Sequence, residues 1–187
     1  MSNFGFGQTT FFSEDFETDG SGTRYTISSE FNDGSNDHFG RTDGSNVSGG
    51  YSGQNGTYFI AGEDLDDNGG DGSSEKTILF NVIDITGYYD LKIKVLAAAG
   101  SASGAGWDST DYLRIEYSTD GTNFSTGLQF SAPTSGSNSG INFDTNNDGT
   151  GDGDALTNTF AEFEQTISVT GSTLYLKLYA KANSAKE

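Results

Sequence analysis

The sequence predicts an all-β fold, an antiparallel β-sandwich of jelly-roll type, and three observations support this prediction. Short runs of alternating apolar and polar residues recur along the chain, which is typical of strands with one buried face. Clusters of Gly, Asn, Asp and Ser separate these runs and mark turns. Helix-forming residues are scarce, and no run has a convincing helical period. Roughly ten such strands bury their apolar faces most readily in two packed layers.

The composition indicates one domain whose core depends on a few large side chains. The chain has 187 residues, of which only 32% are hydrophobic, yet 13% are aromatic. Because Phe and Tyr bury a large area per residue, they must fill much of the space between the sheets. We expect residues 1–10 to form an extended N-terminal arm and residues 11–187 to form a single sandwich domain.

The alternating runs give the expected positions of the strands. In chain order, we expect strands at 11–17, 23–29, 37–41, 57–62, 77–85, 91–97, 112–117, 124–130, 160–169 and 173–182. An Asp-Gly pair at 120–121 predicts a hairpin between the seventh and eighth of these strands. A Gly-Ser pair at 171–172 predicts a second hairpin between the last two.

Acidic residues dominate the charge of the chain. There are 27 acids against 9 bases, which gives a formal net charge of -18 at pH 7. Such a field repels nucleic acids and attracts cations, so we expect no nucleic-acid partner. No apolar run approaches membrane-spanning length, so we expect no membrane insertion.

The loop at 144–154 has the spacing of a calcium-binding loop. Oxygen-bearing side chains alternate along it, and a glycine lies at the sixth place, where calcium loops turn sharply. The twelfth place is Ala155 instead of a bidentate glutamate, and no helix is expected on either side, so we predict a calcium loop between strands. The alternative is a solvated acidic loop. The expected ligands are Asp144, Asn146, Asp148, Thr150, Asp152 and Asp154.

A second acidic loop follows the strand expected at 57–62. Its spacing is less regular, but its crowded carboxylates repel one another unless a cation binds. The chain has no cysteine, so no disulfide braces the fold, and in a secreted protein metal is then the expected brace. We therefore predict Ca²⁺ as the cofactor. The expected ligands in this loop are Glu63, Asp64, Asp66, Asp67 and Asp71.

The residues suited to catalysis are few. His38 is the single histidine, and it lies in a segment rich in Gly, Asn and Asp, so a structural hydrogen bond is the favoured interpretation. Without cysteine, thiol nucleophiles and cysteine-zinc sites are excluded. Acids are so abundant that finding a carboxylate pair suited to glycoside hydrolysis is not evidence for that activity. We expect no enzymatic activity, and a hydrolase is the least favoured class.

Alternation in the last strand predicts a ligand-binding surface. The outward residues expected to form it are Tyr175, Lys177, Tyr179 and Lys181, with Tyr112, Arg114, Lys92 and Lys94 at outward positions on other strands. If these strands are neighbours, tyrosine rings lie among cations, which suits stacking on sugar rings and pairing with sulfate or carboxylate groups. The alternative is an ordinary amphipathic sheet face with cross-strand pairs. Trp107, in a loop beside Asp108 and Asp111, is a second candidate platform for a sugar, with core packing as its alternative.

Five segments together resemble a known module, and the resemblance covers most of the chain. The segments are 16–20, 23–26, 30–45, 62–67 and 144–156. Taken in this order, they are similar to a jelly-roll β-sandwich accessory module of large secreted bacterial proteins, found beside extracellular nucleases, phosphatases and calcium-dependent adhesins. The resemblance implies structural calcium and a non-catalytic role.

The last residues depart from this pattern. Modules of this type follow the last hairpin with a strand of the form Glu-x-x-Phe-Asp-Asn beside the first strand, whereas this sequence ends at Glu187. Either the native protein continues, or a strand from another chain fills that edge, with residues 1–10 as the candidate donor. Residues 1–12 lack the pattern of a secretory signal, which predicts a domain cut from a longer chain or a signal-independent export route.

These observations predict a secreted, extracellular protein of the cell surface that binds or adheres to polysaccharide. The alternative is a structural subunit of a filament, surface layer or virion, assembled by strand exchange between copies. The expected partner is therefore an extracellular glycan or a neighbouring protein subunit.

Overall fold

The computed structural model describes residues 8–34, 37–66, 70–100, 106–133, 135 and 140–182. Within them the chain forms antiparallel sheets and no helix, which confirms the predicted all-β class. The described residues accordingly contain no helix of the length and apolarity needed to cross a membrane. The twelve strands are β1 Tyr25–Ile27, β2 Phe31–Asn32, β3 His38–Thr42, β4 Phe59–Glu63, β5 Glu75–Phe80, β6 Ile83–Asp84, β7 Lys92–Ala97, β8 Tyr112–Ser118, β9 Ser125–Ser131, β10 Asn142–Asp144, β11 Ala161–Thr166 and β12 Thr173–Lys181.

The main sheet has β12 near its centre. Its strand order is β1-β5-β12-β8-β9-β10, and β6 pairs with the beginning of β12. In this register Tyr179 lies opposite Thr77 on β5 and Arg114 on β8. Because β12 is paired on both sides, its backbone hydrogen bonds are satisfied and its side chains divide strictly between two faces.

Two smaller sheets pack on the apolar face of the main sheet. One is the pair β11-β7, and the other has the order β2-β3-β4. Ile93 of β7 and Phe163 of β11 join one core cluster with Leu128 and Leu174 of the main sheet. Tyr25, Phe31, Phe39 and Ile78 belong to a second cluster, which β12 reaches through Leu178. The layered arrangement is that of a β-sandwich, with β12 contacting both halves of the core.

Aromatic contacts join the two layers. The Phe130 ring of β9 lies 4.9 Å from the Phe163 ring of β11 in an edge-to-face arrangement. Phe143 of β10 completes the group, at 5.7 Å from Phe130 and 5.4 Å from Phe163 between ring centroids. Three large rings therefore supply at this point much of the apolar burial that a chain with few aliphatic residues needs.

Several sequence-predicted strands are confirmed. The alternating runs at 91–97, 112–117 and 173–182 become β7, β8 and β12. The Asp-Gly hairpin between β8 and β9 also forms, and Asp120 accepts hydrogen bonds from the backbone N–H groups of Thr122 and Asn123 within its turn. These predictions succeed because alternation and turn chemistry are local properties of the sequence.

Other predictions of strands are wrong. Residues 11–17 form no strand, because Phe11 packs into one core cluster and Phe16, with φ of 60°, packs into the other. The run at 77–85 divides into β5 and β6, and the short strands β2 and β10 were not predicted. The last two strands are not a hairpin: β11 pairs with β7, whereas β12 lies in the main sheet. Their apolar residues Phe163 and Leu174 meet across the layers instead of side by side.

Candidate functional site

The outer face of β8 and β12 brings together most of the residues predicted to bind a ligand. Tyr179 lies opposite Arg114, and Lys181 lies opposite Tyr112. Lys177 lies opposite Glu116, one pair further along the same two strands. The leucines of β12 occupy the opposite face and contact the core. The condition that the strands be neighbours is therefore met for β8 and β12, and we call their outer surface the tyrosine–cation face.

Cations lie against the tyrosine rings of this face. The Arg114 guanidinium carbon is 4.4 Å from the Tyr112 ring centroid and 5.0 Å from that of Tyr179. The Lys177 Nζ atom is 4.5 Å from the Tyr179 centroid, and Lys181 Nζ is 5.9 Å from the Tyr112 centroid. At these distances the cations interact favourably with the negative faces of the rings. The side chains therefore form one connected group and not separate surface residues.

The acids of this face are engaged, whereas two of its cations are not. Arg114 Nε lies 3.0 Å from Glu116 Oε1, with poor hydrogen-bond alignment, and the Tyr112 hydroxyl donates a hydrogen bond to Glu75. Lys177 and Lys181 make no ion pair with any described residue. In a chain with 27 acids against 9 bases, lysines without a carboxylate partner are the unexpected feature.

Lys92 and Lys94 do not belong to the tyrosine–cation face, contrary to the expectation from sequence. They lie on β7, in the other layer, and pair with acids of β11. The Lys94 Nζ to Glu162 Oε1 distance is 2.7 Å, and Lys92 Nζ lies 2.5 Å from Glu164 Oε1. Alternation alone located them on an outward face but did not indicate which sheet the strand would join.

Trp107 also lies apart from the tyrosine–cation face. Its ring is partly buried and packs against the larger core cluster. This placement agrees with the alternative that Trp107 packs in the core.

The loop at 144–154 is organised around Asp144, which is fully buried. The Asp144 carboxylate accepts hydrogen bonds from the backbone N–H of Gly149 at 2.7 Å, from that of Asp148 at 3.1 Å and from Gln129 Nε2 at 3.1 Å. Gly151 packs so closely on β9 that an added Cβ would lie 2.3 Å from the Ser131 carbonyl oxygen. The loop is therefore folded tightly onto the end of the main sheet.

The other expected ligands of this loop are exposed. Asp148 accepts a 3.0 Å hydrogen bond from the Thr150 N–H and a 3.1 Å bond from Asn146 Nδ2. Asp152 turns toward Thr145, whose N–H donates to it at 2.8 Å, and this hydrogen bond lowers the pKa of Asp152. The Asp154 side chain is exposed, while its carbonyl oxygen accepts the N–H of Phe143 at 2.9 Å.

These oxygens fit the donor chemistry of Ca²⁺, although they are not gathered into a cage. No group of three or more acidic or histidine side chains with metal-binding geometry occurs in the described part of the chain. Asn147, which the sequence pattern did not single out, contributes a buried Oδ1 atom without a hydrogen-bond partner. With φ of 58°, Asn147 turns the loop just before Asp148. The loop thus offers hard oxygen donors, one of them orphaned.

The second acidic loop separates the residues expected to act together. Glu63 is buried on β4, where it accepts the N–H of Ser48 at 2.9 Å. Asp71 forms an ion pair with Lys76, whose side chain is completely buried, so this carboxylate neutralises a core lysine. Asp67 lies outside the described residues.

Asp64 and Asp66 meet a third carboxylate, that of Asp37, which sequence reasoning missed. Burial, the largest cause, and hydrogen bonds shared with Asp66 and Asp37 together raise the pKa of Asp64 to about 6. Asp37 is buried, just before β3. Carboxylates in such contact must share a proton or a cation, so this cluster is where the negative charge of the second loop is most crowded.

His38 has the environment of a structural residue. Its Nε2 atom lies 3.3 Å from the Gly40 carbonyl oxygen, and the residue is buried on β3. Burial lowers the pKa of His38, which outweighs the opposite effects of Gly40, Glu30 and Glu63. The imidazole is therefore held neutral near physiological pH.

The chain matches no protein-family model, no curated protein and no solved structure. The resemblance to accessory modules of secreted proteins accordingly stays a prediction from the segments quoted above.

The tyrosine–cation face predicts a loss of stability at high pH. Burial, followed by the hydrogen bond to Glu75, raises the pKa of Tyr112 from 10.0 to about 12. The unfolded chain therefore loses this proton first, so the Tyr112 contribution to stability is complete below pH 10 and disappears as the pH rises toward 12. Urea unfolding across this range should show a shallower alkaline loss for Tyr112→Phe than for wild type. Parallel loss in both proteins would contradict the assigned pKa.

Proposed function

We propose that this protein is a secreted, non-catalytic, calcium-stabilised jelly-roll module that binds extracellular polysaccharide carrying acidic groups. The observation that supports this best is the tyrosine–cation face, where Lys177 and Lys181 lie beside tyrosine rings without a described carboxylate partner. Lys76, Lys92 and Lys94 are paired with acids, so Lys177 and Lys181 are the described lysines that remain for an external anion.

The chemistry of the face suits an acidic sugar polymer. Tyrosine rings stack on the apolar faces of sugars, and ammonium and guanidinium groups form charge-assisted hydrogen bonds with sulfate or carboxylate. An open sheet surface accommodates an extended chain better than a small molecule, which generally needs a concave pocket. Both kinds of group lie on two paired strands, Tyr112 and Arg114 on β8 and the rest on β12, so sheet pairing presents them together.

The acidic loops are consistent with a protein that works outside the cell. Extracellular calcium modules commonly bind with dissociation constants on the order of 10⁻⁴–10⁻³ M. Loops with exposed oxygen donors, such as the one at 144–154, suit that weak range better than a closed cage. The buried, neutral His38 fits a non-catalytic role, because it is engaged by the backbone of its own strand.

Binding to three matched polymers tests the proposal. Dextran sulfate, carboxymethyl dextran and plain dextran share a backbone and differ in acidic groups. We expect binding to the two acidic polymers, weakened about tenfold by Lys177→Ala with Lys181→Ala, since two exposed ion pairs worth roughly 0.2–1 kcal/mol each are lost. Tyr175→Ala with Tyr179→Ala should also weaken binding, measured by affinity electrophoresis at constant ionic strength.

The matched control is Lys92→Ala with Lys94→Ala, which removes the same charge from β7 in the other layer. It should leave binding unchanged if the tyrosine–cation face is the site. Equal weakening by both lysine pairs would show that only net charge matters and would overturn the proposal. So would equal affinity for plain dextran and its acidic derivatives.

A second candidate function, a structural subunit joined by strand exchange, rests on the unpaired edge of β7. Among the described strands, β7 pairs only with β11. Its other edge borders a cavity of about 440 Å³ between the layers, lined by the consecutive residues 91–95. Residues 8–14 cover this cavity, and no backbone–backbone hydrogen bond of theirs occurs within the described chain. Consecutive lining residues indicate an unpaired strand edge, which is the usual template for an added strand.

Sedimentation of the chain over a wide concentration range tests this second function. Polymers should form if the arm of one copy, residues 1–10, pairs with β7 of another, and deletion of residues 1–10 should abolish them. Deletion of residues 183–187 is the matched control and should leave them intact. A full chain that is monomeric at every concentration, or polymers that persist without the arm, would exclude this assembly.

A further inference from the structure

The turn that leads into β8 contains two acids that lie outside the two acidic loops. Asp108 and Asp111 face each other across this turn. The Asp111 N–H donates to the Asp108 carbonyl oxygen at 3.0 Å, and the Asp108 N–H donates to Asp111 Oδ2 at 2.6 Å. These two bonds close the turn and hold the Asp111 carboxylate against the Asp108 backbone, directly before Tyr112.

Each of the two carboxylates has one buried oxygen without a partner. Asp111 is only 1% exposed, and its Oδ1 atom has no hydrogen-bond partner. Asp108 Oδ1 is also buried and unpartnered. An unsatisfied carboxylate oxygen in a buried position is costly, and two of them at one corner also repel each other. Buried acids in native proteins are normally paired with a cation or neutralised.

The nearest protein cation does not satisfy this corner. Lys181 lies opposite Tyr112 on β12, but its ammonium is directed toward the Tyr112 ring at 5.9 Å and makes no ion pair with a described acid. Burial, the largest cause, raises the pKa of Asp111, and the Asp108 charge raises it further. The Asp108 N–H, Lys181 and the Thr110 hydroxyl act in the opposite direction without outweighing burial.

We propose that this corner binds a hard divalent cation, Ca²⁺, through the free Oδ1 atoms of Asp108 and Asp111. Two carboxylate oxygens are a common part of a calcium coordination shell, which water and backbone carbonyl oxygens complete. The site uses residues outside the loops at 63–71 and 144–154 and does not depend on polysaccharide binding. It would hold the start of β8, the strand that carries Tyr112 and Arg114.

The single tryptophan makes this site individually measurable. Trp107 is the only Trp of the chain and directly precedes Asp108. Tb³⁺ replaces Ca²⁺ in oxygen sites and emits when a nearby indole transfers its excitation energy. Excitation at the red edge, where tyrosine absorbs little, therefore reports Tb³⁺ bound near Trp107, and carboxylate variants then distinguish this corner from the loop at 144–154. We expect saturable Tb³⁺ emission from the full chain, displaced by added Ca²⁺ and not by the same ionic strength of NaCl.

Asp108→Asn and Asp111→Asn, which keep side-chain volume, should each abolish the Trp-sensitised emission. Asp148→Asn in the loop at 144–154 is the matched control and should retain it. Circular dichroism in the aromatic region establishes whether each variant is folded, and a folded variant at either Asp108 or Asp111 is sufficient to decide the test. Absence of sensitised emission in wild type, or emission unchanged in folded Asp111→Asn, would overturn the proposal and leave the polysaccharide proposal untouched.

Discussion

Negative charge held in the connections between strands is the constraint on which this structure depends. Asp144 is fully buried at the end of β10, and Asp64 contacts two other carboxylates at the end of β4. Backbone N–H groups satisfy the first, because Asp148 and Gly149 donate to Asp144. The second differs, because its acids hydrogen-bond to one another. The sandwich therefore places like charges together where a cation has most to contribute.

The bases are distributed in the complementary way, on strands. Lys92 and Lys94 are paired with acids across β7 and β11, and Lys76 is buried against Asp71. The lysines of β12 differ because their neighbours on the sheet are tyrosine rings. Strand β12 therefore contributes to both the core and the surface. Its leucines pack between the layers. The side chains at its alternate positions form the surface proposed to bind a ligand.

Sequence reasoning located the tyrosine–cation face but not its limits. Alternation decides which residues of a strand share a face, so the outward set on β12 was predictable. Which strand lies beside it depends on long-range pairing, so alternation alone did not show that the strand of Lys92 and Lys94 belongs to the other layer. The same limitation explains the missed Asp37, which reaches Asp64 only through the pairing of β3 with β4. Residues 11–17 alternate like a strand, yet two phenylalanines draw them into separate core clusters.

Calorimetric melting in excess Ca²⁺ and in chelator, at equal ionic strength, tests the central claim most directly. Free Ca²⁺ at one hundred times the Kd of a site adds about 2.7 kcal/mol to the free energy of unfolding. Each change of roughly 1 kcal/mol shifts the Tm of a chain of this size by about 2–4 °C. The account predicts a fall in Tm of about 5–10 °C in chelator for each site that was saturated, and no recovery with added NaCl. An identical Tm in calcium and in chelator would contradict it.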